Sequence, residues 1–222
     1  MKNIVSYSLW GDHPMYWIGA LRNIELVEKY FPGWICRFYI DENCREDLIE
    51  TIKGKNVEIK LVNSKDSFHG MFWRFWASLE KDVDIFLSRD CDSRITEREF
   101  LAIKEWLDSD KDFHIMRDHP YHTVPILGGM WGCRNGIMRD LNFTKLLENW
   151  TNYSRKGADQ DFLGQCIYPL VKERSLEHSE FGLKFGGDIK CFPSSRENYE
   201  FVGDVFDENN NRHPEYWKFI KK

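Results

Sequence analysis

The sequence has little proline and no long apolar run. Only 7 of its 222 residues are proline, and no Pro-, Gly- or Ser-rich stretch divides it, so we expect a single domain spanning residues 1–222. A membrane span needs about 18 consecutive apolar residues, and no such stretch occurs. The 6 cysteines form no CxxC pair, which excludes a zinc knuckle or a dense disulfide framework. We interpret them as reduced thiols and expect a cytoplasmic protein.

Positive charge is also scarce. There are 31 Lys and Arg against 36 Asp and Glu, a net charge of −5, and the longest basic run is Lys221-Lys222. Nucleic acid is therefore excluded as a partner. Aromatic residues are abundant at 15%; most serve a core, and some are available to cover sugar rings or bases.

Apolar patterning predicts alternating strands and helices. The predicted strands are Asn3–Leu9, Cys36–Ile40, Val57–Val62, Val83–Ser88 and Phe113–Met116. The predicted helices are Met15–Tyr30, Glu46–Ile52, Phe68–Glu80 and a segment from the Thr96 cap to Leu107. This order predicts an α/β fold with a mostly parallel central sheet, helices on both faces and a loop-rich C-terminal part. Ligands bind such sheets at the carboxyl ends of the strands.

A pair of carboxylates, Asp90 and Asp92, follows the apolar strand Val83–Ser88 directly. Two hard oxygen ligands in one turn suit Mn²⁺ or Mg²⁺, which in turn bridges a diphosphate. One interpretation is a phosphatase of the haloacid dehalogenase type, with Asp90 as nucleophile. Such enzymes usually carry the motif on the first strand, whereas several elements precede it here, so its position favours a nucleotide-sugar glycosyltransferase.

Two segments carry a resemblance to a known family. The run from Phe72 to Glu80, followed by VDIFLSRDCDSRI, resembles the Arg-bearing helix, apolar strand and DxD motif of retaining GT-A glycosyltransferases, the galactosyltransferase and glycogenin-type group. The segment Gly157–Leu163 resembles the DQDxL segment of the same group. The resemblance covers roughly residues 68–190 and implies a GT-A-like domain, with residues 1–95 binding nucleotide and residues 96–222 binding sugar and acceptor.

The resemblance also implies roles for individual residues. Arg74 would contact the donor, and Asp159, Gln160 and Asp161 would lie near the donor sugar and its anomeric carbon. His178 and Lys184 have the six-residue spacing of the group's HxxGxxK motif, in which the histidine is a third metal ligand and the lysine holds the diphosphate. The glycine departs from that motif, because Gly182 follows His178 by four residues instead of three.

Further donor-binding candidates come from the order of the elements. His119 follows a strand and so shares the ligand edge of the sheet, and Gly128 and Gly129 permit close approach of the backbone to a sugar. Asp12 ends the first strand, where a nucleotide would lie, and Tyr7 or Trp10 could cover its base.

Together these observations predict a metal-dependent glycosyltransferase. It would move a hexosyl or deoxyhexosyl unit from a nucleoside-diphosphate sugar, with UDP the expected nucleotide, to a carbohydrate acceptor with retention of configuration. Two alternatives stay open: the phosphatase or phosphotransferase that uses Asp90, and a non-catalytic module that binds sugar nucleotides or glycans.

Overall fold

A computed structural model describes residues 1–63, 69–153, 155–182 and 185–220 of the chain. The strands are β1 (Lys2–Leu9), β2 (Ile35–Asp41), β3 (Val57–Val62), β4 (Val83–Ser88), β5 (Phe113–Arg117), β6 (Trp131–Arg134), β7 (Ser175–Ser179) and β8 (Asp188–Lys190). The α-helices are α1 (Pro14–Tyr30), α2 (Glu46–Thr51), α3 (Gly70–Trp73), α4 (Glu97–Leu107), α5 (Ile137–Asp140), α6 (Phe143–Glu148), α7 (Ala158–Phe162), α8 (Tyr168–Val171) and α9 (Pro214–Trp217).

All these strands join one sheet in the order β3-β2-β1-β4-β6-β5-β7-β8. Strand β6 runs antiparallel to both β4 and β5, and the other pairs are parallel. The predicted, mostly parallel sheet is therefore confirmed. Strands β6, β7 and β8 were not predicted from the sequence; they are short and lie in the part of the chain that was expected to be rich in loops.

Each face of the sheet carries its own apolar core. One core packs α1, α2 and α4 against the sheet through side chains such as Trp17, Ile52 and Trp106. The opposite core packs the segment 70–79 and helices α5 to α8 through residues such as Phe75 and Phe162. The period-2 alternation of strand β1 divides its side chains between these faces. Most of the aromatic residues lie in these cores, as the sequence analysis expects.

The helix expected at Phe68–Glu80 changes character part-way. Phe68 lies outside the described residues; α3 ends at Trp73, and a 3₁₀ helix continues over Arg74–Leu79. The backbone of Arg74 is held from outside the helix at this junction, because its N–H donates to Ser8 Oγ (2.9 Å) and its carbonyl accepts from Ser6 Oγ (2.7 Å). These bonds dock the junction onto the end of β1.

The last part of the chain is irregular, as predicted. Between Cys191 and Ile220 the structure has a single short helix, α9.

The 6 cysteines are all free. Across the described ranges, no helix combines the length and the apolar character that crossing a bilayer requires.

Candidate active site

A cavity of about 380 Å³ lies at the carboxyl ends of β1 and β4. Its wall is assembled from six stretches of chain: the end of β1, the first turn of α1, the segment around Arg74, the turn after β4, the loop before β6 and the start of α7 with the residues that lead into it. The lining residues are Ser8, Leu9, Trp10, Tyr16, Met71, Arg74, Asp90, Cys91, Asp92, Gly128, Lys156, Gly157, Asp159 and Gln160. The predicted ligand edge of the sheet is thus where Arg74, Asp90, Asp92, Asp159 and Gln160 meet.

Arg74 connects two of these stretches. Its Nη1 lies 2.5 Å from Asp90 Oδ1, and its Nη2 lies 2.8 Å from Asp159 Oδ2. The guanidinium is 7% exposed and Asp159 is 3% exposed, whereas Asp90 remains 43% exposed toward the cavity. Burial raises the pKa of Asp159, and the Arg74 charge opposes that shift. Arg74 therefore holds a buried carboxylate on one side and an accessible one on the other.

Gly128 and Gly129 make this arrangement possible. A Cβ at Gly128 would overlap the Asp159 carboxylate and come within 2.5 Å of Arg74 Nη2. A Cβ at Gly129 would overlap the Asp90 carboxylate. The loop is fixed by Ser88 at the end of β4, whose Oγ donates to the Gly128 carbonyl (2.6 Å). Gly128 and Gly129 therefore contribute to the site by leaving space for the carboxylates of Asp159 and Asp90, respectively.

Asp90 and Asp92 both reach the cavity, and their charges interact. Burial and then the neighbouring Asp90 carboxylate raise the pKa of Asp92 to about 6 from 3.8. The Arg74 charge, a hydrogen bond from the backbone at Asp92 and the Lys156 charge oppose this rise. The turn after β4 therefore presents negative charge that the nearby cations balance incompletely.

The three residues of the DQD segment separate in space. Asp159 and Gln160 line the cavity. Asp161 is not among the lining residues, and its carboxylate pairs with Arg155 near the surface. Successive helical side chains point in different directions, so this short helix cannot present all three to one ligand.

Tyr16 and Lys156 are among the cavity residues that were not predicted from the sequence. Tyr16 lies in the first turn of α1, and burial together with the charges of Asp92 and Asp90 raises its pKa. Lys156 is exposed and precedes the Gly157 turn. Both residues could have been proposed from the sequence, because Tyr16 lies in the first turn of the helix after β1 and Lys156 is close to the DQD segment.

Comparisons with known proteins identify the fold. No protein-family model matches the sequence, nor does any curated protein. Among solved structures, a glycosyltransferase involved in the glycosylation of the major capsid of PBCV-1 is similar, with a TM-score of 0.50 and 19% identity over 80% of this chain and 81% of that chain. The galactosyltransferase LgtC, in complex with donor and acceptor sugar analogs, gives a TM-score of 0.51 and 16% identity over 79% of this chain and 72% of that chain. The chain has a GT-A-type glycosyltransferase fold.

The carboxylate pair of this GT-A-type fold fits a hard divalent cation in part. Within residues 1–63, 69–153, 155–182 and 185–220, no group of three or more His, Cys, Asp or Glu side chains is placed to hold a metal ion. Mg²⁺ is commonly bound through one or two carboxylates together with substrate phosphates and water. Asp90 and Asp92 provide that number of carboxylates, at a cavity whose negative charge a cation would balance.

His178 does not join this pair. It lies within β7, where its Nδ1 is 2.8 Å from His114 Nε2 and its Nε2 is 3.1 Å from Glu105 Oε2. Both ring nitrogens are engaged on the α4 side of the sheet, and the side chain is fully buried. The expectation of a third metal ligand at His178 does not fit this placement.

Other predicted donor residues also lie away from the cavity. Tyr7 is completely buried and stacks on Phe38 at 4.9 Å between ring centroids. The ring of His119 packs on Phe201 at 4.5 Å, and its Nε2 lies 3.1 Å from the Tyr216 carbonyl. Asp12 is exposed in the turn before α1 and does not line the cavity.

Trp10 does lie where the sequence analysis placed it, at the end of β1 and in the cavity wall. Its indole packs so closely on Gly70 that a Cβ there would come within 2.7 Å of Trp10 Cε3. Lys184, the predicted diphosphate ligand, lies outside the described residues.

The raised pKa of Asp92 generates a prediction about stability. A carboxyl group whose pKa is higher in the folded state binds its proton more tightly there, so the free energy of unfolding falls as pH rises from about 4 to 6. At pH 7 the charged Asp92 destabilises the metal-free protein. We expect Asp92→Asn to raise the free energy of unfolding at pH 7 by on the order of 1 kcal/mol, since one pKa unit corresponds to about 1.4 kcal/mol and partial hydration reduces the effect.

Urea unfolding in the presence of a chelator checks this expectation. The gain should shrink below about pH 4, where Asp92 is protonated in both states. Asp47→Asn is the matched control. Arg45 lowers the pKa of the exposed Asp47 carboxyl, so removing the Asp47 charge should not raise the free energy of unfolding. Equal or lower stability of Asp92→Asn at pH 7 would contradict the assigned charge imbalance.

Proposed function

We propose that this protein is a metal-dependent glycosyltransferase that moves a hexosyl or deoxyhexosyl unit from a nucleoside-diphosphate sugar to a carbohydrate acceptor. The observation that carries the proposal is the meeting of Asp90, Asp92, Arg74 and Gln160 at one cavity on the carboxyl edge of a GT-A-type sheet. We further propose UDP as the nucleotide and retention as the stereochemical outcome.

The charges around the cavity support a diphosphate ligand. Three carboxylates and two cations line it among the described residues. Mn²⁺ or Mg²⁺ held by Asp90 and Asp92 would supply Lewis acidity toward the leaving diphosphate. Arg74 is engaged with two carboxylates, so its role is to orient Asp90 and Asp159 around the donor. Lys156, which has no ion pair within the described part of the chain, is the cation available to a phosphate oxygen.

The state of the DQD carboxylates supports retention. An inverting enzyme needs a free carboxylate base on the acceptor hydroxyl, opposite the leaving group. Asp159 is buried against Arg74, and Asp161 is paired with Arg155 outside the cavity. Gln160 reaches the cavity but cannot act as a base. Its amide oxygen can stabilise positive charge that develops at the anomeric carbon, while a phosphate oxygen on the same face takes the proton.

The surroundings of Asp90 do not favour the phosphatase. One oxygen of its carboxylate accepts from Arg74, and the backbone at Gly129 packs against the same group. The motif also follows the fourth strand of the chain. The non-catalytic module is distinguished from an enzyme by turnover alone.

The central experiment combines binding with turnover. We expect UDP with Mn²⁺ to raise the melting temperature, and a panel of UDP-, GDP- and dTDP-sugars with mono- and disaccharide acceptors to yield a glycoside product detected by mass spectrometry. Asp92→Ala should abolish the metal-dependent shift, whereas Asp47→Ala should retain it. A trapped phosphoaspartate on Asp90 would favour the phosphatase, and nucleotide binding without any transfer or donor hydrolysis would favour the binding module.

Lys156 yields a prediction about phosphate recognition. Lys156→Gln should weaken UDP binding about 10-fold, which corresponds to about 1.4 kcal/mol, and leave uridine binding unchanged, because only UDP presents charge to the ammonium group. The loss should diminish in high salt. Isothermal titration calorimetry measures both ligands, with the exposed Lys145→Gln as control and Lys184→Gln as the parallel test of the sequence prediction. Equal losses for uridine and UDP would remove Lys156 from the phosphate site.

Gln160 yields a prediction about the chemical step. Gln160→Ala should lower kcat about 10- to 100-fold, on the order of 1–3 kcal/mol of transition-state stabilisation, with donor affinity nearly unchanged. Gln165 is an exposed glutamine farther along the same helical segment, and Gln165→Ala should keep the wild-type kcat. NMR of the first-formed product should show the anomeric configuration of the donor. An inverted product together with a normal Gln160→Ala rate would refute retention.

A further inference from the structure

The turn that carries Asp90 and Asp92 is held from behind by the C-terminal part of the chain. The Phe206 N–H donates to the Asp92 carbonyl at 2.9 Å. Next to it, Ser93 and Val205 form an isolated antiparallel bridge. The main chain of the candidate metal-binding turn is therefore paired with a segment more than a hundred residues away in sequence.

Arg94 strengthens the same connection through its side chain. Its guanidinium donates to the carbonyls of Cys91 (3.2 Å) and Ser93 (2.9 Å), which belong to the turn. It also stacks on the Phe206 ring, 4.8 Å from the centroid, and its Nε donates to Asn210 Oδ1 (3.0 Å). One buried arginine thus binds the turn and the C-terminal segment simultaneously.

The C-terminal segment has its own anchors. Asp204, which is 2% exposed, pairs with Arg212, and Phe206 bridges to Arg212 through the backbone. Arg212 also donates to the carbonyls of Asn198 (2.8 Å) and Tyr199 (2.7 Å). These contacts make residues 204–212 a closed, braced loop, which we call the C-terminal brace.

Helix α1 supports the turn from the opposite side. Asn23 Nδ2 donates to the Ser93 carbonyl (2.9 Å), and its Oδ1 accepts from the Ile95 N–H (3.2 Å). The turn is consequently clamped between α1 and the C-terminal brace. The Asp92 carbonyl is bonded from the brace and the next carbonyl, that of Ser93, is bonded from α1. Together these bonds leave the main chain of the turn little freedom to rotate, and this restricts the direction in which the Asp92 side chain leaves the backbone.

We propose that the C-terminal brace is a positioning element that sets the geometry of the Asp92 carboxylate toward the divalent cation. The inference rests on the proposed function in so far as it assigns a cation to Asp90 and Asp92. Groups that orient metal ligands typically contribute 10- to 100-fold in metal affinity. The residues of the brace, Phe206 and Arg212 in particular, act through Asp92 and are not themselves ligands.

The test removes the hydrogen bond from Phe206 to Asp92, together with the ring that stacks on Arg94. Phe206→Pro deletes the N–H that donates to Asp92, whereas Glu208→Pro places proline at the second position of the Asp207–Asn210 turn, where proline is well tolerated. We expect Phe206→Pro to weaken Mn²⁺ binding about 10-fold by electron paramagnetic resonance of free Mn²⁺, and Glu208→Pro to bind as the wild type does. If circular dichroism shows that Phe206→Pro is unfolded, Arg212→Gln replaces it, because it releases the brace without touching the turn.

A second readout does not depend on the metal. In metal-free protein, the NMR resonances of Asp90 to Ser93 should move in Phe206→Pro or Arg212→Gln and stay in place in Glu208→Pro. Wild-type protein that binds no Mn²⁺ would overturn the proposed metal dependence, while moved resonances would still support the positioning role. Unchanged resonances, or unchanged Mn²⁺ affinity in a folded Phe206→Pro variant, would overturn the inference about the brace.

Discussion

The candidate site depends on one buried cation, the guanidinium of Arg74. It lies between Asp90, which follows β4, and Asp159, which begins α7. Buried charges are costly unless they are paired, and removing one partner leaves the others uncompensated. The neighbouring structure is arranged around this requirement: Ser6 and Ser8 hold the Arg74 backbone, and the loop at Gly128 carries no side chain that would enter the ion pair.

Charge is distributed unevenly around Arg74, and such imbalance is typical of groups that are arranged for a ligand. Arg74 is paired with two carboxylates, burial and the neighbouring Asp90 disfavour the charged form of Asp92, and Lys156 extends an exposed cation over the same cavity. A divalent cation would balance the negative charge at Asp90 and Asp92, and a diphosphate would balance the positive charge of Lys156. Proteins commonly sacrifice stability at functional sites in this way, because the groups are arranged for a ligand and not for one another.

The cavity also shows how the fold contributes to function. Its residues come from the ends of β1 and β4, from α1, from the helical segment before β4, from the loop at Gly128 and from α7, so no short segment contains the site. Proteins that are 19% identical to this chain or less share its fold. Many different sequences can form the same alternating apolar strands and helices. What individualises this chain is the set of side chains at the strand ends, together with the C-terminal brace behind the candidate metal-binding turn.

Local patterns in the sequence were sufficient to predict β1 to β5, the helices between them and the position of Asp90 and Asp92 at a strand end, because periodicity, caps and strand ends are short-range signals. Arg74 became a candidate through the resemblance of its helix to a known family. Period-2 alternation could also have shown that Tyr7 faces away from Ser6 and Ser8, and hence away from the cavity. His178 could not be judged from motif spacing, since its partners His114 and Glu105 come from other elements of the sheet and from α4. Likewise, only the tertiary structure decided that Asp159 faces Arg74 while Asp161 turns away, and that Phe206 supports Asp92. The physical reason is the same in each case: the identity of a side chain is a property of the sequence, whereas its partner is set by chain segments that meet only after folding.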